Sequence, residues 1–182
     1  TPNDSDAVDR KQLITALQSC EFIGEPFEFE GRTHYKPGDE FLHLITFLGC
    51  SPVVSLGEVG TTGSEFAHIE FSGPYEKAQF IGGENIKPLR CNHCEQRDTQ
   101  WREQLPQWLN DGENGIWQCP NCGENQSLTE IRWRKSAGLG KFFIKVWGIF
   151  ESEAVPGDKL KQVLRESTHC EWSHFYYRGV EF

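Results

Sequence analysis

Cys91-Asn92-His93-Cys94 and Cys119-Pro120-Asn121-Cys122-Gly123 are two CxxC pairs with 24 residues between Cys94 and Cys119. Thiolates are soft donors, and four of them close a tetrahedral shell around Zn²⁺ with S–metal bonds of about 2.3 Å. A two-residue gap lets both sulfurs of one tight turn grip one face of the ion while the N–H groups of the turn point at the sulfurs. Gly123 follows the last of the four, where such a turn often needs a positive φ that glycine adopts cheaply. Cys91, Cys94, Cys119 and Cys122 are therefore expected to hold one structural zinc ion. The competing readings are four reduced core cysteines or two disulfides, and a repeated two-residue gap argues against both.

From about Lys87 to Arg134 these residues resemble a zinc ribbon, two knuckles each on its own β-turn. The resemblance puts the four cysteines at the ligand positions. CPNCG (119–123) alone also resembles the second knuckle of rubredoxins, which hold iron. The flanking aromatics and the rest of a rubredoxin domain are not recognisable, so zinc is the expected metal and iron the alternative. A filled four-sulfur shell leaves no position for water or substrate, so the centre is read as non-catalytic. His93, inside the first knuckle, is expected to face solvent or to hydrogen-bond a sulfur.

Between the knuckles, Trp101, Leu105, Trp108 and Leu109 fall on one helical stripe, which Pro106 should end or kink at Leu105. Trp101 and Trp108 either pack the ribbon onto the main body or form an exposed contact patch. After the second knuckle, 127–134 alternates as a strand, with Leu128, Glu130, Arg132 and Arg134 on one face and Ile131 and Trp133 on the other. Ala137-Gly138-Leu139-Gly140 reads as a turn, and 142–150 (FFIKVWGIF) as the strongest strand of the chain.

Toward the N-terminus, 5–19 reads as a helix capped by Ser5, with Val8, Leu13, Ile14 and Leu17 near one face. Strands are expected at Phe27–Glu30, at 41–49, at 52–56, at 66–71 and at 78–81, with 57–63 (GEVGTTG) as a hairpin loop. Toward the C-terminus, a helix begins at Asp158 as cap and carries Leu160, Val163 and Leu164; 171–177 (EWSHFYY) reads as a closing strand. Residues 11–22 and 161–172 align without gaps, sharing Lys, Gln, Cys and Glu, which would fit two related helix-to-strand units or coincidence. The expected fold is α+β, a mainly antiparallel sheet with a helix near each chain end. The ribbon (87–134) would be inserted between an N-terminal part (1–86) and a C-terminal part (135–182) of the α+β domain, and zinc would replace a hydrophobic core in a lobe too small to fold alone.

With 182 residues and 13 Phe, 6 Trp and 4 Tyr the chain can bury a sizeable core, which argues against disorder. No run of about 18 apolar residues occurs, and the first residues are polar and acidic, so neither a membrane span nor a secretory signal is expected. Seven cysteines are an odd number. Unpaired thiols beside a thiolate metal site fit the cytoplasm. The net charge is −9, and the first 86 residues alone hold 14 acidic and 5 basic side chains. Such a field attracts basic partners and repels phosphate backbones, although ordinary solubility explains it as simply.

Outside the ribbon, His169, Cys170 and His174 cluster in sequence, while His43, Cys50, His68 and Glu70 lie on or beside expected strands. Cys170 and His174 would share a strand face as a nucleophile and its base; His68 and Glu70 would share one too. No GxSxG, HExxH or cysteine-protease signature is present, and scattered His and Cys on aromatic strands are mostly core residues. Three functions compete. The first is a non-enzymatic protein-binding module, an adaptor or inhibitor of a basic partner. The second is nucleic-acid binding through the basic aromatic strand, in which Arg132, Arg134, Lys135, Lys141 and Lys145 meet phosphates and Trp133 and Trp147 stack on bases. The third is an enzyme with a Cys/His site in the sheet domain, and the balance of these readings is against an enzyme.

Overall fold

The computed structural model describes residues 1–2, 8–49, 54, 66–111 and 114–178. In chain order the N-terminal elements are α1 (Arg10–Ser19), β1 (Ile23–Phe29), β2 (Arg32–Pro37), α2 (Phe41–Leu44), β3 (Ile45–Phe47) and β4 (His68–Ser72). There follow β5 (Gln79–Gly82), β6 (Leu89–Arg90), β7 (Arg97–Asp98), a 3-10 turn (Trp101–Gln104), α3 (Leu105–Asp111), β8 (Ile116–Gln118), β9 (Asn125–Ser127) and β10 (Ala137–Gly140). The chain closes with β11 (Phe143–Trp147), β12 (Ala154–Pro156) and α4 (Asp158–Thr168). Among the described residues every strand pairing is antiparallel, and a helix lies near each end, so the fold is α+β.

Two compact units divide the chain: Thr1–Pro74 with Phe142–His174, and Tyr75–Lys141 with Phe175–Phe182. In the first, a sheet ordered β1-β2-β4-β11 presents Tyr35, Ile69 and Phe71 to Leu13 and Leu17 of α1 and Leu160 and Leu164 of α4. Leu13, Leu17 and Ile69 are wholly buried, and each such side chain contributes about 1.5–3 kcal/mol. The strands that flank the excursion into the second unit are neighbours, with Ser72 opposite Phe143 and His68 opposite Trp147.

Several local readings of the sequence are corrected by tertiary context. Ser5 lies outside the described residues, and α1 is capped by Asp9, whose carboxylate accepts from the N–H groups of Lys11 (2.8 Å) and Gln12 (3.2 Å). Gly157 rather than Asp158 is the cap residue of α4; Asp158 is its first helical residue and binds Lys161 Nζ at 3.1 Å. The expected strand at 41–49 is a helical turn followed by the short β3, because Phe41 and Leu44, three apart, are the residues buried while Leu42 and His43 are exposed. The 52–56 strand and the 57–63 loop fall outside the described residues except for Val54, which bridges Ile149.

The 127–134 strand does not form. Ser127 turns back on itself, its hydroxyl meeting Thr129 Oγ1 at 2.9 Å and its N–H donating to the Glu130 carboxylate at 3.3 Å. Local bonds of this kind end β9 at Ser127, its last residue, and Arg134 and Lys135 further on adopt φ of 51° and 61°. Conversely 137–140 is strand β10, not a turn: a Cβ on Gly138 would lie 2.2 Å from the Phe175 ring, so this glycine admits a close neighbour. Pro106 lies in the first turn of α3, just after Leu105, instead of ending a helix, since its missing N–H would have no partner there. Residues 171–177 form no strand beyond the Pro2–Trp172 bridge; their backbone N–H groups go to separate segments, Ser173 to the Thr1 carbonyl and Tyr176 to the Lys135 carbonyl, and not to one partner strand. The two repeat-like helices do pack together, but β1 follows α1 directly and, among the described residues, no strand follows α4, so the echo in sequence is not an echo in fold there.

Candidate metal centre

Each CxxC pair joins the strands of a two-residue or three-residue hairpin, β6–β7 around Cys91 and Cys94 and β8–β9 around Cys119 and Cys122. The two knuckles close with the same bonds. Cys91 N–H donates to Gln96 O at 3.0 Å and Glu95 N–H to Cys91 O at 3.0 Å; Cys119 N–H donates to Glu124 O at 2.8 Å and Gly123 N–H to Cys119 O at 2.9 Å. The residue after each second cysteine is left-handed, Gly123 at φ 74° and Glu95 at φ 57°. Glycine pays nothing for this and glutamate does. Glu95→Gly is therefore expected to stabilise the unit by about 1 kcal/mol, and Gly123→Ala to destabilise it by about as much. Thermal unfolding with zinc in excess reads both, and shifts of the same sign would disprove the equivalence of the two turns.

The four sulfurs lie within 4.8 Å of one another. Cross-knuckle separations are 3.7 Å for Cys91–Cys122 and 3.6 Å for Cys94–Cys119. Disulfides need about 2.05 Å, whereas 2.3 Å bonds to one tetrahedral ion put sulfurs about 3.8 Å apart. The cluster thus has the edges of a metal-thiolate tetrahedron, and the residues present fit a metal ion. His93 N–H donates to Cys91 Sγ at 3.4 Å and the Asn121 amide to Cys94 Sγ at 3.5 Å, while the His93 side chain is exposed and stands outside the donor set.

Electrostatics argue for a cation. The Gln96 N–H, working against burial and helped by Asn121 and the neighbouring sulfurs, draws the Cys94 thiol down to about 6. The Glu124 N–H favours a thiolate at Cys122 too, but desolvation and the other three sulfurs push that thiol up to about 12. One proton leaves the cluster readily and the last is held, because negative charges so close repel. A dication removes that repulsion and displaces the protons. Comparison with protein families, curated proteins and solved structures gave no match.

Cys91 and Cys119 are buried in one core with Trp101, Trp108, Trp117, Leu128 and Trp133. Trp101 and Trp108 stack at 6.1 Å and 5° and are 0% and 2% exposed, so they form interior and not a contact patch. Trp133 is buried as well, its N–H donating to Leu128 O at 3.2 Å. Arg132, Arg134 and Lys135 are exposed, with Arg134 donating to the Pro88 carbonyl. The cations named for nucleic-acid contact therefore have no accessible ring from Trp101, Trp108 or Trp133 beside them. Asp98, buried and unnoticed in the sequence, links the two hairpins by accepting from Trp117 Nε1 at 2.9 Å and from Gln100 N–H at 2.8 Å.

Elsewhere, Cys170 is buried and its thiol donates to Thr168 O at 3.2 Å, and His169 terminates α4 in a left-handed conformation. With no strand there, the shared face expected for Cys170 and His174 does not exist. His43 is exposed near Glu40 at 3.5 Å, and Cys50 lies outside the described residues. His68 and Glu70 do share a face, and the structure adds His34, Lys145 and Trp147 to it: Lys145 and His34 both sit opposite Glu70, and Trp147 opposite His68. The i, i+2 spacing of His68 and Glu70 was visible, but their cross-strand neighbours depend on register.

Proposed function

We propose that this protein is a non-enzymatic protein-binding module, an adaptor or inhibitor, whose single zinc ion at Cys91, Cys94, Cys119 and Cys122 is structural. The observation that supports the zinc half of this reading is the clustering of four sulfurs within 4.8 Å; four thiolates on one ion would fill a tetrahedral shell and leave no position for water or substrate. When bound, zinc supplies cross-linking energy to a lobe whose two hairpins are very short. Iron in the same sulfurs is the competing metal, and a colourless protein with about one zinc per chain separates the two.

The binding half rests on surface chemistry. Leu48 and Phe150 are 61% and 64% exposed. They stand at the same end of the β3–β12 pair, where Leu48 N–H donates to Glu153 O at 2.8 Å and Glu153 N–H to Phe150 O at 3.2 Å. Exposed apolar side chains on an acidic body suit a basic protein with an apolar anchor. Among the described residues no disulfide joins any of the six cysteines, which suits the cytoplasm. No described helix is long and apolar enough to cross a membrane.

The test is capture of a partner from the source cell, reconstitution with the purified partner, and titration of wild type against Phe150→Asp. Binding at low salt weakened at least tenfold by the substitution, with zinc content unchanged, is the expected result. A purified partner bound equally by both proteins would remove this surface from the reading. Binding to nucleic acid with a steep salt dependence would favour Arg132, Arg134 and Lys135 instead.

A further inference from the structure

The face of the four-stranded sheet turned away from α1 and α4 carries two imidazoles in an aromatic enclosure. His34 is 4% exposed, and neither of its ring nitrogens has a hydrogen-bond partner among the described residues. His68 is 2% exposed, and its Nδ1 meets the Phe66 carbonyl at 2.9 Å, which makes that nitrogen the donor of a neutral ring. The two imidazole centroids are 5.0 Å apart. Phe66 stacks on His68 at 4.4 Å and Trp147 lies nearly parallel to it at 5.7 Å. Phe27 and Phe29, half-buried residues of edge strand β1, cover His34 at 5.8 and 5.5 Å.

We propose that this pair is an acid-responsive latch: protonation of His34 and His68 releases the Phe27–Phe29 edge from the sheet. A buried imidazole with no partner is a poor filler, since a phenyl ring would occupy the space with no polar atom to desolvate. What it adds is a charge that appears on acidification, in a place where the charge cannot be tolerated. Among the described residues, the charged groups around the pair are Glu28 and Glu30 on the β1 side, Arg32 on β2, Glu70 on β4 and Lys145 on β11. Glu70 is the buried anion, and it already serves Arg32 at 2.9 Å and Lys145 at 3.7 Å. Glu28 and Glu30 are exposed and screened by water. Two new cations 5 Å apart would therefore join two existing ones around a single buried carboxylate.

Desolvation lowers the pKa of both imidazoles in the fold, outweighing the pull of Glu70 on His34 and the Phe66 carbonyl bond on His68. The sign follows. Groups whose folded pKa lies below the unfolded value of about 6.5 leave stability intact above that pH. They withdraw it as pH falls toward the folded value, because the opened form binds the protons first. The opening falls on β1 because it is an edge strand, bulged between Ile23 and Pro26, and its two phenyl rings are the cover.

Amide hydrogen exchange on the zinc-loaded full chain, corrected for intrinsic rates, tests this between pH 7.5 and 5. The Phe27–Phe29 amides are expected to gain at least tenfold in exchange while α1 and α4 stay protected, and His34→Phe is expected to abolish the gain. Should that variant fail to fold, NMR titration of the wild-type imidazoles decides: His34 and His68 must titrate below an exposed histidine such as His43, with the β1 amide shifts moving at the same pH. An unchanged or uniform exchange response, a pH response surviving in His34→Phe, or titration of both rings at the ordinary value would each overturn the latch.

Discussion

Cys119→Ser is expected to reduce bound zinc from about one per chain to a small fraction and to unfold the unit formed by Tyr75–Lys141. Cys119 is 2% exposed and packs in the core of that unit, so the change would remove one of the four sulfurs and insert a hydroxyl into apolar surroundings. Structural zinc in peptides of this type is bound with about 10–16 kcal/mol at pH 7, and where no site exists in the unfolded chain that energy is folding energy. A typical domain has only 5–15 kcal/mol of net stability to lose. The hairpins that carry the ligands are two to three residues per strand, too short to survive alone. Trp101, Trp108, Trp117 and Trp133, four of the six tryptophans, are buried in this core. Loss of the metal should therefore red-shift most of the fluorescence and open 75–141 to protease. The sheet unit should persist, because β4 and β11 pair directly and an unfolded excursion between them costs only loop-closure entropy, which grows slowly with length. A variant that keeps one tightly bound zinc would refute the assignment of Cys119.

The four-cysteine cluster was legible because its signal is local: thiol chemistry and a fixed two-residue gap bring four sulfurs to one point regardless of the fold around them. The terminal helices were legible for the same reason, since Leu13 with Leu17 and Leu160 with Leu164 repeat at four residues within one element. Other features depended on partners distant in sequence. Bonds from Ser127 to Thr129 and Glu130 close a turn directly after β9, and nothing in the alternation of 127–134 announces that. Phe41 and Leu44 read as part of an apolar strand until Gly157 N–H is seen to take the Leu44 carbonyl at 2.9 Å. The tryptophans between the knuckles carried two readings because burial is a property of packing. The polar face of the sheet was half visible in His68-x-Glu70; His34 and Lys145 join it only because the register sets both opposite Glu70.

Glu70→Ala is expected to destabilise the sheet unit by about 3–5 kcal/mol, the cost of breaking a buried ion pair by removing one member. The Glu70 side chain is 5% exposed and accepts from Arg32 at 2.9 Å, Ser72 at 3.2 Å and Trp147 Nε1 at 3.3 Å, with Lys145 Nζ at 3.7 Å. Its removal deprives Lys145, itself only 7% exposed, of a carboxylate in a setting where water cannot substitute. Arg32 is 68% exposed, so Arg32→Ala should cost less than about 1 kcal/mol. Lys145→Met should fall between, because Arg32 still faces the carboxylate and the methionine fills the volume. Urea unfolding of the sheet unit, followed by circular dichroism with zinc saturating, ranks the three by midpoint at constant slope. The pH dependence supplies an independent sign. Burial raises the Glu70 pKa, but Lys145, Arg32 and Ser72 together overcome it and leave the carboxyl below its ordinary value of 4.5. A depressed carboxylate contributes stability that is present above the unfolded pKa and lost as pH falls through the folded one. Wild type should therefore lose stability below about pH 4.5 more steeply than Glu70→Gln, which has no carboxyl to protonate, and the two curves should converge in acid. If Glu70→Ala costs no more than Arg32→Ala, then Lys145 does not depend on this carboxylate, and the face is held by its aromatic rings alone.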